Sequence, residues 1–273
     1  MGQRAAVDEL EFAARQFESI ELNGSFYSLQ RTSSYVAWRN ATPPGFLFAV
    51  KGSRFITHMK RLRDVRTASA NFWASGVLAL GEKLGPILWQ FPPTLAFDGR
   101  FAEFFASLPR TTEEARVVAA EHDRRVRQPF IGSEGERSIR HAVEVRHPSF
   151  LTPGFVSLLR EHSVGLVIAD TASKFPYFED LTADFVYIRL HGDTKLYESG
   201  YTAEAIGHWA RRVRAFSRGE RPEDPVFVAP ESRAHTPRDV YVYFDNDIKV
   251  RAPFDALALA KALGALTPRA RRR

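Results

Sequence analysis

Apolar and polar positions alternate along this chain with two periods, and the periods take turns. Residues 5–17 place Ala6, Leu10, Ala13, Ala14 and Phe17 three or four apart, which predicts a helix. Short apolar runs then predict strands at 19–23, 46–51, 87–91, 141–146, 165–169, 185–190 and 239–244. Helical spacing returns between them, at 62–83, 98–108, 112–127, 153–162, 202–217 and 253–264. Pro43-Pro44-Gly45, Gly85-Pro86 and Pro92-Pro93 punctuate the pattern. Residues 128–140 and 218–238 read as surface excursions.

Strands that alternate with helices predict parallel β–α units and an α/β fold. Polar residues close many of the apolar runs: Asn23, Lys51, Gln90, Arg146, Asp170, His191 and Asn246. A TIM-like (β/α) barrel gathers polar groups at the carboxyl ends of many strands, whereas an open doubly wound sheet concentrates them at one switch point. The barrel is the expected architecture, as a single domain over residues 1–268. Seven strands are readable, one short of the eight that close such a barrel.

Composition narrows the chemistry. The 273 residues suffice for a substantial core, and the absence of cysteine excludes disulfides, thiol catalysis and Cys-ligated metals. No apolar run approaches the roughly 20 residues of a membrane span, and no leader-like segment opens the sequence, so a soluble cytoplasmic protein without membrane partners is expected. The net charge of +6 carries less information. Four arginines lie in Arg269–Arg273, a stretch that reads as a disordered basic tail, and without them the balance falls to +2. No Gly-rich dinucleotide fingerprint or phosphate loop is present, so the sequence assigns no cofactor.

Strand alternation sorts the candidate residues by face. Glu21 and Asn23 share one, Glu144 and Arg146 another, and Tyr187, Arg189 and His191 a third, all opposite aliphatic neighbours. Two readings stand side by side. In one, Glu21 and Glu144 neutralise Lys51, Arg146 and Arg189 in a purely structural network. In the other, Glu21, Glu144 and His191 are catalytic, as acid/base or orienting groups. Asn23, Tyr27, Lys51, His58, Gln90, Arg146, Asp170, Arg189, Tyr197 and Asn246 then bind the substrate. Guanidinium and ammonium groups suit a small anionic or phosphorylated ligand, or nucleic acid. A glycosidase pair of Glu21 and Glu144 ranks low, because arginine neighbours keep Glu144 ionised. No metal site is assigned, since no spacing such as HExxH supports one.

Six segments, in order, carry a family resemblance. They are Ile20–Tyr27, Phe48–Lys51 with Arg54 and Ile56-Thr57-His58, Leu84–Pro93, Val143–Ser149, Tyr187–Gly192, and Val242–Asn246. Together they resemble the domain-of-unknown-function 72 family, also called YecE-like, with Phe150 where that family usually has Trp. The resemblance implies a TIM-like barrel and no particular reaction. It also implies a missing element: the family's first strand, with its Gly- and aromatic-containing segment, has no counterpart before residue 19. Either the start lies upstream or this barrel is open. As an enzyme, the protein would most resemble a hydrolase acting on a phosphorylated or nucleic-acid-related substrate. The alternative is a non-catalytic barrel that binds nucleic acid or a metabolite.

Overall fold

A computed structural model describes residues 9–230, 236–246 and 250–264. The tail at 269–273 and the first residues of the predicted N-terminal helix lie outside the described residues. The chain divides into two compact units, Met1–His147 and Pro148–Arg273.

The first unit holds strands β1 (Ser19–Leu22), β2 (Leu47–Lys51), β3 (Leu84–Gln90) and β4 (His141–Glu144), paired in that order and all parallel. The register sets Leu22 beside Val50, Lys51 beside Leu88, and Gln90 beside Glu144. Residues level across a parallel pair face the same side. Val50, Ile87, Trp89, His141 and Val143 therefore share one face, and Lys51, Leu88, Gln90, Ala142 and Glu144 the other.

Aromatic packing shows which face meets the helices. Trp89 is fully buried against Phe72 of helix Arg66–Ala74 and Phe104 of helix Arg100–Ser107, with ring centroids 5.6 and 5.2 Å away. Phe91 and Phe101 continue the cluster at 4.9 Å. Phe72, Phe91, Phe101 and Phe104 put four of the chain's 22 phenylalanines on this side of the strands. Two further groups on the helix side are closed structural devices. His141 accepts from Trp89 Nε1 at its Nδ1 (3.1 Å) and donates from Nε2 to the Pro109 carbonyl (2.7 Å). Lys83 donates to the carbonyl oxygens of Arg39 and Thr42.

The second unit holds β5 (Gly165–Asp170), β6 (Phe185–Leu190) and β7 (Asp239–Phe244), again parallel and in chain order. Ile168, Val186, Ile188 and Leu190 pack on Ile206, Trp209, Val213 and Phe216 of helix Ala203–Arg218 and on Leu259 of helix Ala252–Leu263. The opposite face of β6 and β7 carries Tyr187, stacked on Tyr241 and tilted against Tyr243. The alternation expected for Tyr187, Arg189 and His191 against Ile188 and Leu190 holds.

Helix starts follow local chemistry. Thr111, Thr152 and Thr202 each accept from the amide three residues on, and Gly219 closes a helix in the left-handed region. Three sequence expectations change. The helix expected at 62–83 begins only at Arg66, because Arg61, Leu62 and Asp64 take positive φ. It is then broken at Gly76 (φ 118°), where a side chain would meet the backbone of Thr32, and it resumes as a 3₁₀ segment, Val77–Lys83. The helix expected over 112–127 ends at Ala119, and Asp123 turns back to bond Asn71. Strand β3 starts at Leu84 rather than after Pro86. The proline is tolerated because the pairing register with β2 shifts there.

Candidate functional site

In the first unit, the carboxyl ends of the strands assemble a cationic cluster. Lys51 ends β2 and is buried, with its Nζ 4.3 Å above the ring of Phe26. Phe26 belongs to the single helical turn Gly24–Tyr27 that follows β1. Ser25 pins that turn by donating to the Lys51 carbonyl (2.7 Å) and the Leu22 carbonyl (3.2 Å). The next segment, Phe55–Met59, is a π-helix, a conformation concentrated at functional sites. It carries His58, whose ring meets the Phe26 ring edge-on at 5.1 Å and whose Nδ1 lies 2.8 Å from Thr57 Oγ1.

Glu144 ends β4 fully buried. Its Oε1 accepts from Arg146 Nε (2.8 Å) and Nη2 (2.7 Å), and the arginine side chain keeps 12% exposure. The carboxylate is thus held as an acceptor, an arrangement that suits orientation better than proton donation. Burial and the nearby charges of Arg146, Lys51 and Arg54 push His58 down to about 4, against the opposing pull of Glu144. His58 is neutral at pH 7.

The remaining expected residues of this unit distribute as follows. Asn23 follows β1 directly, and its Oδ1 is a buried acceptor with no hydrogen-bond partner in the structure. Gln90 is buried level with Glu144. Tyr27 is 69% exposed, edge-on to Phe26 and with the Arg54 guanidinium 6.0 Å above its ring. Glu21 pairs with Ala49, two residues before Lys51 along β2, so it lies about 6.6 Å deeper along the strand direction. Trp89, one residue before Gln90, points to the helices and takes no part.

The second unit carries its own cluster. Arg189 and His191 are fully buried, and both reach one oxygen of Asp245: Arg189 Nη2 at 2.9 Å and His191 Nδ1 at 3.2 Å. Arg189 Nη1 lies 3.5 Å from His191 Nε2. The Tyr197 ring sits edge-on to His191 at 5.4 Å, on a residue with φ of 63°. Asp170 accepts from the Tyr201 hydroxyl (3.1 Å), and its carboxyl is pushed up by burial. The same hydroxyl accepts from the Gly192 amide (3.1 Å), so Asp170 and Tyr201 fix the loop after β6. Asn246 is buried and donates from Nδ2 to the Ser199 carbonyl (2.9 Å) and to Asp255 (2.8 Å), while its Oδ1 has no hydrogen-bond partner in the structure.

Asp245 is the residue that the sequence reading passed over in favour of its neighbour Asn246. The signal was available: Tyr241, Tyr243 and Asp245 share a period of two. Among the described residues, no group of three or more His, Asp or Glu is placed to hold a metal ion. No helix of the described residues is long and apolar enough to cross a membrane.

Comparison with known proteins agrees with this architecture. The UPF0759 protein YecE of Escherichia coli strain K12 is 28% identical over 152 residues, which is 55% of this chain and 46% of that protein. The O157:H7 counterpart matches to the same extent. The match thus spans less than half of those relatives. Among solved structures, a DUF72 family protein of Enterococcus faecalis V583 superimposes with a TM-score of 0.68 at 18% identity, over 94% of each chain. Another, from Thermotoga maritima MSB8, gives 0.65 at 25% identity, over 93% of this chain and 87% of that one. The fold is a TIM-like (β/α) barrel, and seven parallel strands lie among the described residues. The family described as "Protein of unknown function DUF72" matches over residues 2–272, and the chain belongs to it.

Proposed function

We propose that the strand ends of the first unit bind a small anionic, phosphorylated ligand. The observation that carries this reading is the gathering of Lys51, Arg54 and Arg146 around His58: burial first, and then these three cations, push the imidazole down to about 4, with Glu144 opposing them. A phosphate entering such a site gains charge-assisted hydrogen bonds in a poorly hydrated environment. Glu144 orients the Arg146 fork for bidentate contact. Asn23, Gln90 and Tyr27 supply neutral polar and aromatic contacts at the rim. The test is the NMR titration of His58 with inorganic phosphate and with a nucleoside monophosphate. A bound anion raises the His58 pKa above about 4, and Lys51→Met abolishes the response. A His58 resonance unmoved by either probe sinks the reading.

A separate enzymatic reading, hydrolysis of a phosphorylated or nucleic-acid-related substrate, is drawn for the second unit taken by itself, from Arg189, His191 and Asp245. The Asp245 carboxylate, 3.2 Å from His191 Nδ1 but not aligned as a hydrogen bond, puts negative charge beside that nitrogen and electrostatically favours a proton there, leaving the lone pair on Nε2. The non-catalytic alternative keeps the anion contacts without turnover. His191→Gln separates the two: a hydrolase loses turnover of a phosphate ester and keeps phosphate binding, whereas a binding protein shows no turnover to lose. Steep weakening of oligonucleotide binding with salt would identify a nucleic-acid ligand.

A further inference from the structure

We infer that the first unit carries a second phosphate-binding site, in a groove lined by Arg31, Arg125 and Arg127. The groove encloses about 400 Å³, its lining includes three arginines and no acidic residue, and Gln30, Thr32 and Gln128 complete its polar wall. Arg31 lies more than ninety residues before Arg125 and Arg127 in sequence, so the two arginine-bearing walls meet only in the fold.

The neighbouring carboxylates are already engaged. Asp123 takes the Asn71 amide and the Arg125 backbone amide, and its oxygen is 3.6 Å from the Arg125 guanidinium. Glu121 pairs with Arg66 through two hydrogen bonds. Arg125 is also steered by the ring of Phe55, 5.9 Å from its guanidinium carbon. Arg31 and Arg127 are exposed and engage no carboxylate among the described residues. The wall continues into helix Thr32–Asn40, which begins with no side-chain cap and no acidic residue in its first turn. Its first-turn amides add positive potential to a groove that the arginines already make cationic.

Guanidinium forks on two walls of one groove match the oxygens of a phosphate, which a point charge would hold with less geometric selectivity. The ligand is therefore a phosphate group, on either a small phosphorylated molecule or a phosphodiester chain. This site is separate from the Lys51 cluster and does not depend on the reading given for it.

Calorimetric titration at low salt with two probes, pyrophosphate and a short single-stranded oligonucleotide, tests the inference. The background is Lys51→Met, so that the other cluster contributes least. Pyrophosphate binding that Arg31→Gln with Arg127→Gln weakens by about tenfold or more is expected for a small phosphorylated ligand. Oligonucleotide binding alone, weakened by the same pair and falling steeply with salt, assigns the groove to a phosphodiester backbone. Arg124→Gln, a nearby arginine outside the lining, should change neither. Far-UV circular dichroism checks that the exposed substitutions leave the fold intact. Absence of binding by both probes overturns the proposal, as does binding that the double substitution leaves unchanged or that Arg124→Gln weakens equally.

Discussion

One oxygen of Asp245 accepts a hydrogen bond from Arg189 at 2.9 Å and lies 3.2 Å from His191 Nδ1, outside hydrogen-bond geometry. The arginine is wholly buried and the carboxylate keeps 30% exposure, so the pair joins an interior charge to the solvent boundary. Asp245→Asn keeps the shape and removes the charge. A loss of about 1–3 kcal/mol is expected from denaturant midpoints. The His191 ring nitrogens should also shift in ¹⁵N NMR, because the amide no longer favours the Nδ1-protonated form. Unchanged stability together with unchanged nitrogen shifts would remove Asp245 from this role.

Lys51 and Arg146 both hold His58 in its neutral form. Removing either cation should raise the His58 pKa from about 4 toward its ordinary 6.5, readable in the pH dependence of its ring protons. Glu144→Gln should act in the opposite direction, since that carboxylate is the one group named here that favours the imidazolium.

One buried and one half-buried histidine, His141 and His58, set an acid limit on stability. Burial lowers His141 to about 3 and His58 to about 4, from 6.5. The unfolded chain therefore takes up protons that the native state refuses as pH falls below 6.5. Stability is full above that value and declines as pH drops toward 3. For the fully buried His141 the swing is on the order of 5 kcal/mol. His58→Gln should flatten only the part between about 6.5 and 4 in a series of melting temperatures.

Gly52 abuts the face of Trp89, where an added Cβ would stand 2.3 Å from a ring carbon. Gly52→Ala should cost about 1–3 kcal/mol by overpacking. It should also disturb Lys51 next door, so the denaturant midpoint and the His58 titration should move together. A wild-type midpoint would show that the ring has room to yield.

Much of the molecule can be read from one dimension, and the exceptions have physical causes. All seven strands were readable because apolar runs of β-branched and aromatic residues sit between turn residues. Period-two alternation placed Arg189 and His191 opposite Ile188 and Leu190 correctly. Asp245 is harder to read because it lies beyond the apolar run that ends at Phe244, and only the alternation continued from Tyr241 and Tyr243 reaches it. The 62–83 segment failed as one helix because its break depends on the approach of Thr32, a contact that no local pattern encodes. The groove of Arg31, Arg125 and Arg127 was invisible for the same reason: its walls meet only in the folded unit.

The π-helix at Phe55–Met59 carries one residue more per turn than an α-helix would. Loss of a single codon there would remove that extra residue and leave the segment to close its turn with α-helical spacing, which changes the angular position of the side chains within it. His58 would then leave the Phe26 ring without any change in its own identity. Homologues that differ in length across this short stretch should therefore differ in chemistry at the site, whatever residues they retain. For this chain, counting residues between Lys51 and His58 is as informative as comparing them.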